Sequence, residues 1–233
     1  MKKTAKFALV KTIPIFLGYI FLGIAFGLLL QKSGLGVLWA FLISALVYAG
    51  SMQFALVGIL TGGLSYITTA VMTLFINSRH AFYGLTFIER FKEMKKAYPY
   101  MVFSLTDETY SLLCSMARPA DFTDREWKQA TLFVSLFDQC YWVLGSVLGA
   151  LMGELIKFDT TGIDFAMTAL FLVIFLEQWE GTRNHLPALA GLLVTALCLI
   201  LTGSDNFLLF SMAGILLFLL LFRRQCTGKG KQQ

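Results

Sequence analysis

Between Lys32 and Arg79 the chain carries no Asp, Glu, Lys or Arg for 46 residues, and between Lys11 and Lys32 it carries none for 20. A helix rises about 1.5 Å per residue and a bilayer core is about 30 Å thick, so the shorter interval is long enough for one crossing and the longer for two. A chain with such intervals does not fold as an ordinary soluble globule. Over all 233 residues, 57% are hydrophobic and 14% charged, where soluble domains carry about 25% charged residues. Disorder, a disulfide scaffold and a secreted enzyme are excluded. The expected fold class is an all-α integral membrane protein, with residues 1–233 forming one polytopic domain in the lipid bilayer. Thr12 to Gln31 is too long for a signal-peptide core and ends at Gln31-Lys32-Ser33 without a small-residue cleavage pattern, so it reads as a retained first helix.

Long apolar segments fall at 12–31, 35–60, 64–87, 99–117, 131–153, 163–177, 187–203 and 207–222. With eight plain crossings and a cytoplasmic N-terminus, Lys and Arg divide 12 inside to 6 outside. If segments two and six instead enter and leave by the same face, the division is 14 to 4, closer to the positive-inside rule. The two four-segment halves then have opposite topology, each with a broken or re-entrant second member, which is the inverted-repeat plan of many secondary transporters. Both arrangements put the two chain ends in the cytoplasm and place the loops at 90–96 and 118–128 on opposite faces.

Polar residues interrupt these segments in a few places. Segment two contains Tyr48-Ala49-Gly50-Ser51-Met52-Gln53-Phe54. Its Gly50-Ser51 pair either breaks the helix or lets a neighbouring backbone approach closely, the commoner use of small residues in membrane helices. A break exposes N–H groups that attract an anion such as a carboxylate. Segment three ends in Asn77-Ser78-Arg79-His80 and Tyr83-Gly84. A charge inside the membrane costs at least about 2.5–3.5 kcal/mol, so Arg79 has an acidic partner or snorkels to the headgroups. Asn77 and His80 share one helix face, and Arg79 and Tyr83 another.

In segment four the acids Asp107 and Glu108 are adjacent, about 100° apart around a helix. One is then free to bind a ligand while the other pairs with a cation, unless the two simply mark a helix end at the interface. Asp138-Gln139 in segment five and Glu177-Gln178 at the end of segment six are secondary candidates, Asp138 the deeper. His185, just before Leu186-Pro187, reads as the start of a helix. There is no H-E-x-x-H, no C-x-x-C and no glycine-rich phosphate loop, so neither an enzyme nor a metal or cofactor is indicated. The net charge of +5 is accounted for by cytoplasmic loops and gives no reason to invoke nucleic acid.

These stretches, together with Phe103-Ser104-Leu105-Thr106-Asp107-Glu108 and Gly162-Ile163-Asp164-Phe165-Ala166-Met167-Thr168-Ala169-Leu170-Phe171, resemble the AzlC family, the large subunits of bacterial branched-chain amino-acid exporters. They run in family order over most of the chain, with local departures at Met52 and Ser78 that remove no charge. The resemblance implies a protein of the bacterial cytoplasmic membrane that exports leucine, isoleucine and valine, with methionine as a further candidate, alongside a small hydrophobic AzlD-type subunit. It also raises Arg79, His80, Asp107 and Glu108 to functional residues. The candidate substrate-binding or ion-coupling set is Gly50, Ser51, Gln53, Asn77, Arg79, His80, Asp107 and Glu108, followed by Tyr83, Asp138 and Glu177. On this reading the Gly50-Ser51 amides and Arg79 take the carboxylate of an amino acid and Asp107 or Glu108 its ammonium, with His80 or the acids carrying a coupled proton. The alternative is a membrane interaction subunit whose polar residues bind a partner while transport belongs elsewhere.

Overall fold

The computed structural model describes residues 2–63, 65–155 and 184–222, with Phe165, Leu172, Phe175, Leu176, Trp179 and Glu180 between them. Among these residues all regular structure is helical: α1 (Lys2–Lys32), α2 (Val37–Leu46), α3 (Ser51–Gly62), α4 (Tyr66–Lys92), a single 3-10 turn at Lys95–Ala97, α5 (Tyr98–Phe103), α6 (Asp107–Ser115), α7 (Asp124–Leu155) and α8 (Leu186–Leu221). The all-α membrane class holds. Three described helices, Lys2–Lys32, Asp124–Leu155 and Leu186–Gly203, are long and apolar enough to cross a bilayer. They turn large apolar side chains outward, with Phe21 of α1 74% and Ile200 of α8 79% exposed, as a lipid-facing surface requires. Glu177 lies outside the described residues, as does nearly all of segment six and of the Gly162 to Phe171 stretch.

The chain forms two compact units, one of Met1–Gly63 with Ile76–Met167 and one of Leu64–Phe75 with Thr168–Gln233. In the second unit α8 starts directly after His185, with Pro187 in its first turn and a break at Gly203 (φ 72°, ψ 177°), where segments seven and eight were expected to part. The His185 ring stacks on Trp179 at 4.0 Å.

The first unit is built on the pairing of α1 with α7, its most extensive helix contact. Small residues make that approach possible. A Cβ on Gly23 would sit 2.9 Å from the Ser146 nitrogen, and one on Gly145 would sit 2.9 Å from the Ile20 oxygen. One on Gly27 would collide with the Ser146 carbonyl, and one on Gly149 with that of Ile24. Gly23-x-x-x-Gly27 meets Gly145-x-x-x-Gly149, the close-approach motif of membrane helices, where dispersion contacts between backbones replace the missing hydrophobic drive. Residue numbers rise together along the seam, from Phe7 on Phe122 through Tyr19 on Trp142 to Gly153 against Gln31. The two helices are therefore parallel.

This parallel pairing corrects the expected topology in one respect. Lys3 pairs with Asp121 at 2.9 Å and Lys128 with Glu93 at 2.8 Å, while Arg90 donates to Thr131 Oγ1 at 3.0 Å. The start of α1, the end of α4 and the start of α7 thus share one end of the unit. The loops at 90–96 and 118–128 are on the same face, and segment four does not cross. It is broken into α5 and α6, of 6 and 9 residues, each far shorter than the roughly 20 residues a crossing needs. The hairpin enters and leaves by the same end, its apolar side packed on Ala8, Phe87, Phe91 and Val134. A clasp of Arg118 on Asp124 and on the Phe122 carbonyl closes its return. In the exposed loop, Lys3 beside Asp121 holds that carboxyl below its usual range.

Two outcomes are expected. Gly27→Leu or Gly149→Leu separates α1 from α7 and prevents recovery of a monodisperse, thermally stable protein in detergent, whereas Gly18→Ala, with nothing within 4 Å of the new Cβ, leaves the melting temperature unchanged or slightly higher. Single cysteines placed at Lys95 and at Arg125, in a chain whose native cysteines are Ser, react with a membrane-impermeant thiol reagent from the same face of the membrane. Reaction from opposite faces would restore a crossing by segment four.

Candidate functional site

Of the two readings of Gly50-Ser51, the structure takes the break. Gly50 has φ 38° and ψ −104°, and no atom lies within 4 Å of the position its Cβ would occupy, so no neighbouring backbone is being admitted. Tyr48 also has positive φ, 42°, the left-handed region that costs a non-glycine residue energy. The polar groups freed at the break are met by side chains. Gln139 donates to the Ala45 carbonyl at 3.0 Å, and the Ala49 N–H donates to Gln53 Oε1 at 3.1 Å. Gln53 is fully buried and also accepts from Trp142 Nε1 at 2.9 Å and donates to Ser44 at 3.3 Å. This candidate therefore ties the break to α7.

The second break, at Ser104 to Thr106, has no glycine. Thr106 is the N-cap of α6, with extended backbone and Oγ1 accepting from the Thr109 N–H. Asp107 and Glu108 occupy the first turn, where the helix dipole and free N–H groups favour negative charge. Read from the sequence as the middle of segment four, they stand instead at the start of a helix.

Arg79 joins the two breaks. Its Nη2 donates to Ser51 Oγ at 2.6 Å and pairs with Asp107 Oδ2 at 2.8 Å, and the two charged side chains are 24% and 31% exposed. The intramembrane cation has its acidic partner and does not snorkel. His80 and Tyr83 both stand in the field of Asp107, His80 edge-on to Tyr83 at 5.9 Å and Tyr83 stacked on Tyr110 at 4.3 Å. Two buried polar atoms of the cluster, Arg79 Nε and Asp107 Oδ1, have no hydrogen-bond partner, and neither has Asn77 Oδ1, which α4 carries two residues before Arg79.

Glu108 diverges from Asp107, as the 100° step on a helix dictates, and its Oε2 lies 2.7 Å from the Tyr19 hydroxyl. Fully buried Asp138 accepts from Thr109 Oγ1 at 2.8 Å. Of the candidates, Ser51, Arg79 and Asp107 are thus joined directly. Asn77 stands two residues before Arg79 on α4 and makes none of these bonds at Oδ1, and Glu108 and Asp138 form a neighbouring network. Tyr19, Thr106, Thr109 and Trp142 were not anticipated. A lone Tyr in an otherwise apolar first segment and a Thr-Asp-Glu N-cap signature were the available signals.

Comparison with known proteins points the same way. The family described as AzlC protein matches residues 14–156, a span that takes in every residue of this cluster. The chain belongs to the AzlC family. It is 38% identical over 213 residues to the branched-chain amino acid transport protein AzlC of Bacillus subtilis, covering 91% of this chain and 83% of that one. It is 37% identical over 223 residues to an uncharacterized membrane protein of Helicobacter pylori, covering 96% of each. The inner membrane protein YgaZ of Escherichia coli is 27% identical over 183 residues, covering 74% of this chain and 72% of that one. No solved structure matches. As an AzlC homologue with apolar spanning helices, the chain is a membrane transport protein.

If Gln53 braces the break, Gln53→Leu strands the Trp142 and Ala49 N–H groups, at about 1–3 kcal/mol for each unsatisfied buried group. The expected result is a marked fall in melting temperature in detergent. An unchanged melting temperature with lost transport would move Gln53 into the substrate site.

Proposed function

We propose that this AzlC-family chain carries branched-chain amino acids out of the cytoplasm, acting as the large subunit of a two-component secondary transporter with a small AzlD-type partner. The observation that carries the reading is the set of unpaired groups around Arg79 and Asp107. An amino-acid zwitterion placed between them offers its carboxylate to Arg79, including the unpaired Nε, and its ammonium to the unpaired Asp107 Oδ1. The substrate replaces the internal ion pair by two external ones, so neither protein charge is left uncompensated in a medium where a lone charge is expensive. Aromatic side chains beside the two breaks, Tyr48 against Phe103 at 6.2 Å, give a branched side chain an apolar wall.

Orientation follows from charge. The end that gathers the N-terminus and the loops at 90–96 and 118–128 carries four, four and three Lys or Arg residues, against Lys32 alone in the α1–α2 connection. By the positive-inside rule this end faces the cytoplasm. The α5–α6 hairpin then rises from the cytoplasmic face to meet the α2–α3 break, and alternating access would open the Arg79–Asp107 pair to one face at a time.

The test is efflux of preloaded labelled leucine, valine, isoleucine and methionine from cells expressing this chain with and without the small subunit. Efflux requiring both chains is expected, and Arg79→Ala and Asp107→Asn should each reduce it to background with both subunits still assembled in the membrane. Loss of assembly in both variants, with no other defect, would favour the interaction-subunit reading. No efflux of any of the four from wild type, with both chains present in the membrane, would overturn the substrate assignment.

A further inference from the structure

Four contacts run in series through the first unit, and only three hydroxyl protons are available to make them hydrogen bonds. Glu108 Oε2 lies 2.7 Å from the Tyr19 hydroxyl, and Tyr19 lies 2.7 Å from Thr106 Oγ1. Thr106 Oγ1 is 3.1 Å from Thr109 Oγ1, which is 2.8 Å from Asp138 Oδ2. Each hydroxyl has one proton to donate and an ionised carboxylate has none. With both acids ionised, one contact therefore brings two oxygens together with no hydrogen between them, which is repulsive in a buried setting. One added proton completes the series. On Glu108, it makes every bond point toward Asp138; on Asp138, every bond points back.

The surroundings select the same protonation state. Asp138 is fully buried, accepts one hydrogen bond at Oδ2 and has no partner at Oδ1. Among the described residues no cation pairs with it, and the guanidinium of Arg79 is engaged by Asp107. A carboxylate so placed is costly to ionise. The other titratable groups facing the two acids are Tyr19, Tyr48, Tyr100 and Asp107, none of which supplies positive charge. His80 faces the Arg79–Asp107 pair. The two ends of the series also differ in burial: Glu108 is an exposed residue, whereas Asp138 is fully buried.

We propose that Glu108 and Asp138 hold one proton between them, and that the Tyr19, Thr106 and Thr109 hydroxyls carry it between the exposed acid and the buried one. In the inward step the Glu108 proton passes to the Tyr19 oxygen as Tyr19 gives its own to Thr106, Thr106 to Thr109, and Thr109 to Asp138. Only O–H bonds exchange, and the charge of the pair stays at minus one. Thr106 caps the helix whose first two residues are Asp107 and Glu108, so a movement that frees Asp107 from Arg79 also displaces the relay. On the transport reading above, on which this part rests, that shared first turn couples the proton to the amino acid.

Two measurements separate the proposal from the reading it rests on. The first needs no transport: hydrogen/deuterium difference infrared spectra of the purified chain at neutral pH, in the region of the protonated carboxyl stretch. One protonated-carboxyl band is expected in wild type. It should vanish in Asp138→Asn and equally in Glu108→Gln, because an amide N–H supplies the fourth proton and leaves the remaining acid ionised. No band in wild type, or a band surviving in either variant, overturns the shared proton. The second uses the two-subunit complex in proteoliposomes. Thr109→Val, which keeps the shape and removes the hydroxyl, should retain amino-acid exchange between the two sides but lose net flux driven by a pH gradient, and Thr109→Ser should restore it. Gradient-driven flux in Thr109→Val equal to wild type overturns the relay. Absence of exchange in wild type, with the infrared result intact, overturns the transport reading alone.

Discussion

Inside a bilayer every backbone N–H and C=O must find a partner within the protein, and the rest of this structure depends on how that demand is met at two helix breaks. A continuous helix satisfies itself. The breaks after Leu46 and after Phe103 do not, and side chains meet groups that they free: Gln139 and Gln53 at the first, Thr106 Oγ1 at the second. Gln139 reaches both, donating to the Ala45 carbonyl at one break and accepting from the Tyr100 hydroxyl of α5, beside the other, at 2.8 Å. Trp142, one helical turn further along the same helix, holds Gln53. The close α1–α7 pair is the frame that keeps these groups at the right depth, and it needs glycine at the seam because any larger residue would push the frame apart.

The breaks create two helix N-termini, and Arg79, Asp107 and Glu108 gather there. Arg79 would be expensive in lipid on its own. Paired with Asp107 and hydrogen-bonded to Ser51, it becomes a bridge between two segments that are otherwise held only by side chains. On the proposed function, an incoming zwitterion replaces this bridge without exposing either charge. The same first turn of α6 sends Glu108 toward Tyr19, so the two adjacent acids serve separate networks, one with a cation and one with hydroxyls.

Much of this was legible in the sequence. The long uncharged intervals gave the fold class, and the polar interruptions marked the cluster. The demand that Arg79 find a partner and the divergence of two adjacent acids follow from elementary charge and helix geometry. Gly50-Ser51 admitted two readings because a glycine in a membrane helix serves equally for packing or for a turn, and only a neighbour, or its absence, decides between them. The break at Ser104 was hidden by hydropathy: Phe103-Ser104-Leu105 reads as spanning, although Thr106 followed by Asp107-Glu108 is a helix-start pattern. Counting charges loop by loop put 90–96 and 118–128 on opposite faces because both arrangements let segment four cross. The spaced glycines of α1 and α7 were visible in the sequence, but nothing in one chain's order of residues says which helices meet.

On the proposed function an amino acid binds through both of its charges, between Arg79 and Asp107. The most direct measurement is equilibrium binding to the purified two-subunit complex of leucine, of leucinamide, which lacks the carboxylate, and of 4-methylpentanoate, which lacks the ammonium group. Binding of leucine alone, lost in Arg79→Ala, is the expected result. Leucine binding that is unchanged in Arg79→Ala, or matched by either analogue, would contradict the account.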